Sequence, residues 1–241
     1  MKIIAIVRTY NETKHIEKFC MSYQNIADVI LVADGGSEDN TVSLASLMPK
    51  TKVKKFEERV MLENGYTRNP DWKYINFLIE WAEEEQADWV IFDDCDVRPN
   101  YKLKEDARKM IEEAEHPIVR APYIFMWGTE LHFPALSLLS SPTIYEPALW
   151  GWKPSVGLRA TGDPPHYIFT EPKDRTKQVF FDRIPTTTFY APYARLHFAW
   201  ENDENTDAHV EYYQKSGLIP GMRHPRDFGG APALLLDWMK E

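Results

Sequence analysis

The stretch from Ala87 to Asn100, ADWVIFDDCDVRPN, decides how the rest of this 241-residue chain is read. Trp89-Val90-Ile91-Phe92 is a short unbroken apolar run with β-branched and aromatic members. That is the pattern of a strand buried on both faces of a parallel sheet. The run stops at Asp93-Asp94-Cys95-Asp96, and Pro99 withholds an N–H from any continuing ladder. Open α/β sheets bind their ligands at the C-terminal edge of the strands, where these carboxylates fall. Asp94 and Asp96 are two apart, so both reach one divalent cation if the chain bends between them. A hard cation held by one or two carboxylates completes its shell with water and substrate phosphates. The stretch therefore predicts a metal–diphosphate site, with an acidic turn closing a strand as the plainer alternative.

Upstream, Lys2 to Val7 and Val29 to Ala33 read as further parallel strands, and Val53 to Phe56 as a third. Polar turns follow the first two: Arg8-Thr9-Tyr10-Asn11-Glu12, and Asp34-Gly35-Gly36-Ser37-Glu38-Asp39-Asn40-Thr41. Glycines in the latter let the backbone turn sharply and approach a ligand, and Ser37 or Asp39 can cap the next helix. Ile16, Phe19, Cys20 and Tyr23 form one helical stripe, and Tyr74, Phe77, Leu78, Trp81 and Ala82 another on a helix opened by Asp71. Glu57 to Trp72 is irregular, Tyr101 to Glu115 is an amphipathic helix, and Pro117 to Ala121 a short strand. The alternation predicts an α/β fold, a mostly parallel sheet with helices on both faces. After Ala121 the periodicity fades into Pro, Gly and aromatics. Antiparallel strands are expected at Val179 to Phe181 and Ala194 to Trp200, a polar helix from Asp203 to Lys215, and a tail, Pro220 to Glu241, that wraps back. No linker marks a boundary, so residues 1–241 read as one domain, a donor half (1–121) and a mixed acceptor half (122–241).

A net charge of −9 disfavours attraction to nucleic acid or anionic membranes. It also means that an anionic donor needs local help from a metal or basic side chains. Cys20 and Cys95 are the only cysteines and have no metal-ligand spacing, which fits a reducing compartment. Arg8 interrupts the first apolar run too early for a signal peptide, and no run reaches the ~20 residues of a membrane helix. A cytoplasmic protein without integral membrane association is expected.

Three segments resemble the GT-A glycosyltransferases, specifically the large family 2 of inverting enzymes. Val7-Arg8-Thr9-Tyr10-Asn11-Glu12 resembles that family's P-T-Y-N-E turn, with Arg8 where a proline is common. Ile30 to Thr41 is similar to its V-V-D-D-G-S-T-D-G-T segment, and Asp94-Cys95-Asp96 matches its D-x-D. The resemblance implies a GT-A (Rossmann-like) fold and transfer of a sugar from a nucleotide-sugar, UDP-linked, to a hydroxyl. It implies that Asp34 hydrogen-bonds the base and that the backbone at Thr9 lines the same pocket. Asp94 would lie near ribose and metal, Asp96 would ligate Mn²⁺ or Mg²⁺, and Asp93 would stand behind them. Arg68 and Lys73 can add positive charge to the donor site or remain solvated surface cations. Arg195 to Trp200 resembles a late strand that supplies a metal-facing histidine, here His197, with Leu196 and Phe198 packed behind; a core or surface histidine is the plainer alternative. Arg159 to His166 resembles a segment ending in His-Glu, with Tyr167 in place of that Glu. An inverting transfer needs a carboxylate at the acceptor hydroxyl. Asp163, in a Gly-Pro loop among aromatics, is the first candidate, ahead of Glu171, Glu201 and Asp203. Trp150 and Trp152 stack on a sugar or fill the core, the core being favoured. The acceptor (glycan, protein, lipid-linked or small molecule) is left open. Other readings are a nucleotidyltransferase, which wants a Gly-rich basic loop after the first strand, and a non-catalytic nucleotide- or sugar-binding module.

Overall fold

A computed structural model describes residues 1–61, 67–68, 70–127, 131–132, 147–162, 168–170, 184–190, 192–200 and 233–234. In chain order the elements are β1 (Ile3–Thr9), α1 (Ile16–Tyr23), β2 (Val29–Asp34), α2 (Thr41–Leu47), β3 (Thr51–Lys55), β4 (Val60–Met61) and β5 (Thr67–Arg68). They continue with α3 (Asp71–Glu84), β6 (Trp89–Phe92), β7 (Val97–Pro99), α4 (Tyr101–Glu112), β8 (Ile118–Trp127), β9 (Leu131–His132) and β10 (Pro147–Trp152). A 3₁₀ turn at Pro154–Val156 leads to β11 (Arg159–Thr161), β12 (Ile168–Thr170), β13 (Thr187–Thr188), β14 (Arg195–Trp200) and β15 (Ala233–Leu234).

β3, β2, β1 and β6 lie side by side, all parallel. β1, β2 and β6 are buried on both faces, whereas the edge strand β3, Thr51-Lys52-Val53-Lys54-Lys55, is largely exposed. Ile3, Ala5, Val7, Ile30, Val32, Trp89 and Ile91 face one core, completed by Phe19 and Tyr23 of α1, Ala45 of α2 and Leu103 and Ile111 of α4. Ile4, Ile6, Leu31, Ala33, Val90 and Phe92 face the other, against Tyr74, Leu78, Trp81 and Ala82 of α3. Helices thus cover both faces of β1, β2 and β6, which is why those strands are apolar along their buried length. The periodicity is helical in the covering segments because only one stripe of each meets the sheet.

Beyond β6 the sheet turns mixed: β10 runs antiparallel to both β6 and β8. Trp150 enters one core and Trp152 the other, both fully buried, so this pair packs the sheet. Burying an aromatic of about 150–250 Å² stabilises on the order of 4–6 kcal/mol, before entropy is counted. Gly151 between them approaches β6 so closely that an added Cβ would lie 2.9 Å from the Val90 carbonyl oxygen.

β8 is longer than the Pro117–Ala121 segment expected. Its first half pairs with β10 and its second with β14, and Pro122 stands at the exchange of partners. β14 was expected to be antiparallel, and it is so only toward β7; toward β8 it is parallel. The irregular Glu57–Trp72 segment contains a small hairpin of β4 and β5. The third strand sits at Thr51–Lys55 instead of Val53–Phe56, and α4 ends at Glu112 instead of Glu115. The expected elements at Val179–Phe181 and Asp203–Lys215 lie outside the described residues, as does the tail apart from β15. Among the described residues no helix is long and apolar enough to cross a membrane.

Candidate active site

The loops after β1 and β2 are stitched into one surface. Register places Thr9 beside Asp34 at the strand ends. The backbone N–H of Asn11 donates to Ser37 Oγ at 2.8 Å, and that of Glu38 to Asn11 Oδ1 at 2.9 Å. The N–H of Glu12 donates to Thr41 Oγ1 at 2.7 Å, and that of Thr13 to Asp39 Oδ2 at 3.2 Å. Below them, the Tyr74 hydroxyl of α3 meets the carbonyl oxygens of Thr9 and Ala33 at 2.9 and 2.7 Å, pinning both strand ends.

Asp34 is buried, and its carboxylate organises its own turn. Oδ2 accepts the backbone N–H groups of Gly36 and Ser37, each at 2.9 Å. Oδ1 takes the Ser37 hydroxyl at 2.5 Å and lies 3.3 Å from the Thr9 hydroxyl. Gly36 supplies the left-handed backbone (φ +89°) that lets the turn close on this carboxylate. Asn40 is the first residue before α2, and its side chain makes no cap; Asp39 instead accepts the Thr41 N–H at 2.9 Å.

The three aspartates after β6 go to three different places. Asp93 turns into the core: Oδ1 accepts Arg195 Nη1 at 2.8 Å, and Oδ2 accepts Trp150 Nε1 at 2.9 Å and the Tyr23 hydroxyl. Burial raises its pKa while Arg195 and Tyr23 oppose the rise. Asp94 is the more open of the three and accepts Arg8 Nε at 3.0 Å. Asp96 lies 3.1 Å from His197 Nε2. The strand pairing of β14 with β7 aligns His197 with Val97, next to Asp96, and the Phe198 N–H donates to the Asp96 carbonyl at 2.8 Å. Leu196 and Phe198 point the other way, into a small cluster with Ile124 and Ala194. Burial lowers the His197 pKa, but the charge and hydrogen bond of Asp96, then Asp94 and Asp93, outweigh it and leave it raised.

Glu12 completes the acidic face. Its carboxyl is raised to about 8 by burial first, and then by the charges of Asp96, Asp94 and Asp39, against the pull of Arg8. Arg8 itself bridges Asp94 and Asp71, with Nη1 at 2.5 Å from Asp71 Oδ1. Neither Glu12 nor Arg8 had been given a role from the sequence. The signals in the sequence were their position in the turn after the first strand and that turn's resemblance to P-T-Y-N-E, which Glu12 completes and Arg8 departs from.

The basic candidates are less central. Lys73 pairs with Glu58 at 2.6 Å on an exposed surface, 5.6 Å from the Trp72 ring centre. Arg68 has its backbone in β5. Asp163, Glu171, Glu201 and Asp203 lie outside the described residues, as do His166 and Tyr167. Among the described residues no set of three or more His, Cys, Asp and Glu side chains forms a ready metal cage. What the rim offers is one paired carboxylate and imidazole with further carboxylates nearby. That suits an octahedral hard cation which keeps positions for water and phosphate oxygens.

No protein-family model matches the sequence, and no curated protein matches it. Solved structures do. S. aureus TarS residues 1–349 in complex with UDP-GlcNAc aligns with a TM-score of 0.54 and 18% identity, covering 91% of this chain and 65% of that one. The same fragment in complex with UDP gives a TM-score of 0.50 and 15% identity, covering 94% and 68%. The chain spans 48%, 65% and 40% of the first three TarS structures it matches, the last of these being TarS without a stated residue range. With its 3-2-1-6 parallel strands, mixed far half and helices on both faces, the chain has the GT-A, Rossmann-like glycosyltransferase fold.

Proposed function

We propose that this chain is a metal-dependent inverting glycosyltransferase that moves a sugar from a UDP-linked donor to a hydroxyl acceptor. One observation carries the reading: the loops after β1, β2 and β6 meet on a single rim, with Thr9 beside Asp34 and Arg8 on Asp94. Ligands of open α/β sheets dock at this edge. TarS, which shares the fold, has been solved with UDP-GlcNAc, so UDP-sugars are the donors to try first.

Thr9 and Asp34 would shape the base pocket. For Asp34 Oδ1 to accept a base N–H, one of its two hydroxyl partners would give way, the 3.3 Å contact from Thr9, which also has the Ala33 carbonyl at 3.2 Å, more readily than that from Ser37. Asp96 and His197 would hold Mn²⁺ or Mg²⁺, with Asp94 as the adjoining carboxylate toward ribose and phosphate. When bound, such an ion neutralises charge that grows on the departing diphosphate. Asp93, held by three interior partners, would fix the turn from which Asp94 and Asp96 project. Arg68 and Lys73 would supply positive charge from the hairpin side, and Asp163 would take the acceptor proton. Residues 1–121 would form the donor half and 122–241 the acceptor half. The acceptor class stays open among glycan, protein, lipid-linked and small-molecule hydroxyls.

The test is incubation with UDP-sugars and Mn²⁺. Free UDP supports transfer or hydrolysis, pyrophosphate would mean nucleotidyl transfer, and no product at all would leave a binding module. Asp96→Ala should abolish Mn²⁺-dependent UDP binding while the thermal melt stays nearly unchanged; normal binding by that variant counts against the metal assignment. In the same assay Asp163→Asn should lose turnover and keep donor affinity, and retained transfer would pass the role to another carboxylate.

A further inference from the structure

Arg8 has a place that neither the strand pattern nor the metal reading requires. On β1, Ile4 and Ile6 bury against α3. The next residue in that alternation is Arg8, paired with Ala33 of β2 but past the last pair with β6. Its guanidinium therefore emerges on the rim between the first turn of α3 and the loop after β6. There it meets Asp71 Oδ1 at 2.5 Å and Asp94 Oδ1 at 3.0 Å, with 24% of the side chain exposed. It is a cation set among Asp94, Asp71 and Glu12, on a chain whose net charge is −9. A diphosphate approaching Arg8 also meets the carboxylates of Asp94, Asp96 and Glu12. A guanidinium matches the geometry of phosphate oxygens and keeps its charge at any relevant pH.

Resting on the donor reading above, we propose that Arg8 binds the diphosphate of the nucleotide directly and supplies metal-independent affinity for it. In the ligand-free protein Asp94 and Asp71 hold the guanidinium at the rim. When the nucleotide docks, its phosphate oxygens replace the Asp94 carboxylate as the partner of Arg8, with or without a metal ion. Asp71, in the first turn of α3, lies outside the binding contacts and serves only to hold the resting position.

The discriminating measurement is the affinity of UDP and of uridine by calorimetry, in Mn²⁺ and in EDTA, for wild type, Arg8→Gln and Asp71→Asn. Wild type in EDTA should prefer UDP over uridine by about tenfold or more, the scale of charge-assisted hydrogen bonds to phosphate. Arg8→Gln should erase that preference and leave uridine binding as it was, and Asp71→Asn should keep it. A preference that survives in Arg8→Gln overturns the proposal. Equal loss in both variants also overturns it, because Arg8 would then act only as a brace between α3 and the loop. The wild-type arm decides even if Arg8→Gln does not fold: UDP binding that needs Mn²⁺ and vanishes in EDTA removes the role of Arg8 and leaves the donor reading intact. Failure of wild type to bind UDP under either condition removes both.

Discussion

At the scale of single residues, the site is a problem of too much negative charge in too little water. Asp96 and His197 share a contact at 3.1 Å, and the histidine is held protonated to higher pH than usual by Asp96, although burial alone would do the reverse. The sign has consequences. A histidine with a raised folded pKa contributes stability that is complete below its unfolded pKa of about 6.5 and is lost as pH rises through the folded one. A metal needs the neutral ring, so its binding runs the opposite way. Mn²⁺-dependent UDP affinity should therefore strengthen with pH until the raised pKa is passed, by up to about tenfold per pH unit. Calorimetry at several pH values checks this, and His197→Asn should flatten the profile. Asp94 and Asp96 were legible from sequence as a pair on one turn. Their separate partners were not, because which carboxylate meets Arg8 and which meets His197 depends on strands about ninety and a hundred residues away.

At the scale of elements, β1, β2, β6 and the helices on them were readable because both faces of that part of the sheet are covered, whereas the exposed edge strand β3 was read two residues late. A strand buried twice must be apolar throughout, and a helix buried once must show a stripe. β10 shows how far that reading reaches. Leu149-Trp150-Gly151-Trp152 looked like a choice between sugar platform and core. It is core because β10, antiparallel beside β6, shifts register between Leu149 and Gly151, which sends two tryptophans only two residues apart to opposite faces of the sheet. Gly151 is what allows the approach, with the Val90 carbonyl 2.9 Å from where a Cβ would stand. Backbone cannot swing aside as a flexible side chain does, so Gly151→Ala should cost about 1–3 kcal/mol, measured by denaturant midpoint with an unchanged slope. The hairpin of β4 and β5 and the second half of β8 escaped the sequence pattern for the opposite reason. They are short or change partners midway, so no single period describes them.

At the scale of the whole molecule, Asp93 and Arg195 tie the early parallel strands to the late mixed region. Arg195 enters from β14, pairs with Asp93 at 2.8 Å with both side chains buried, and donates from Nη2 to the carbonyl oxygens of Ala121 and Ala148 at 3.1 and 3.2 Å. Asn100 works beside it: its side chain caps α4 through the Leu103 N–H at 3.0 Å and accepts the Ala194 N–H at 3.2 Å. A buried ion pair adds little net stability over an apolar pair, but removing one member leaves a buried charge alone. Arg195→Met should therefore destabilise by about 3–5 kcal/mol, a fall in Tm of roughly 2–4 °C for each kcal/mol in a chain of this size. A change under about 1 kcal/mol would show that Asp93 takes up a proton or another partner at small cost. The alternation of apolar runs, helical stripes and polar turns determined the layered sheet and the rim on which function is read, because those periods follow from covering each face. Tertiary structure alone decided that Asp93 is a core anchor, that Asp94 rests on Arg8 and that His197 faces Asp96. Those partners arrive from distant strands, and their geometry exists only once the sheet has closed.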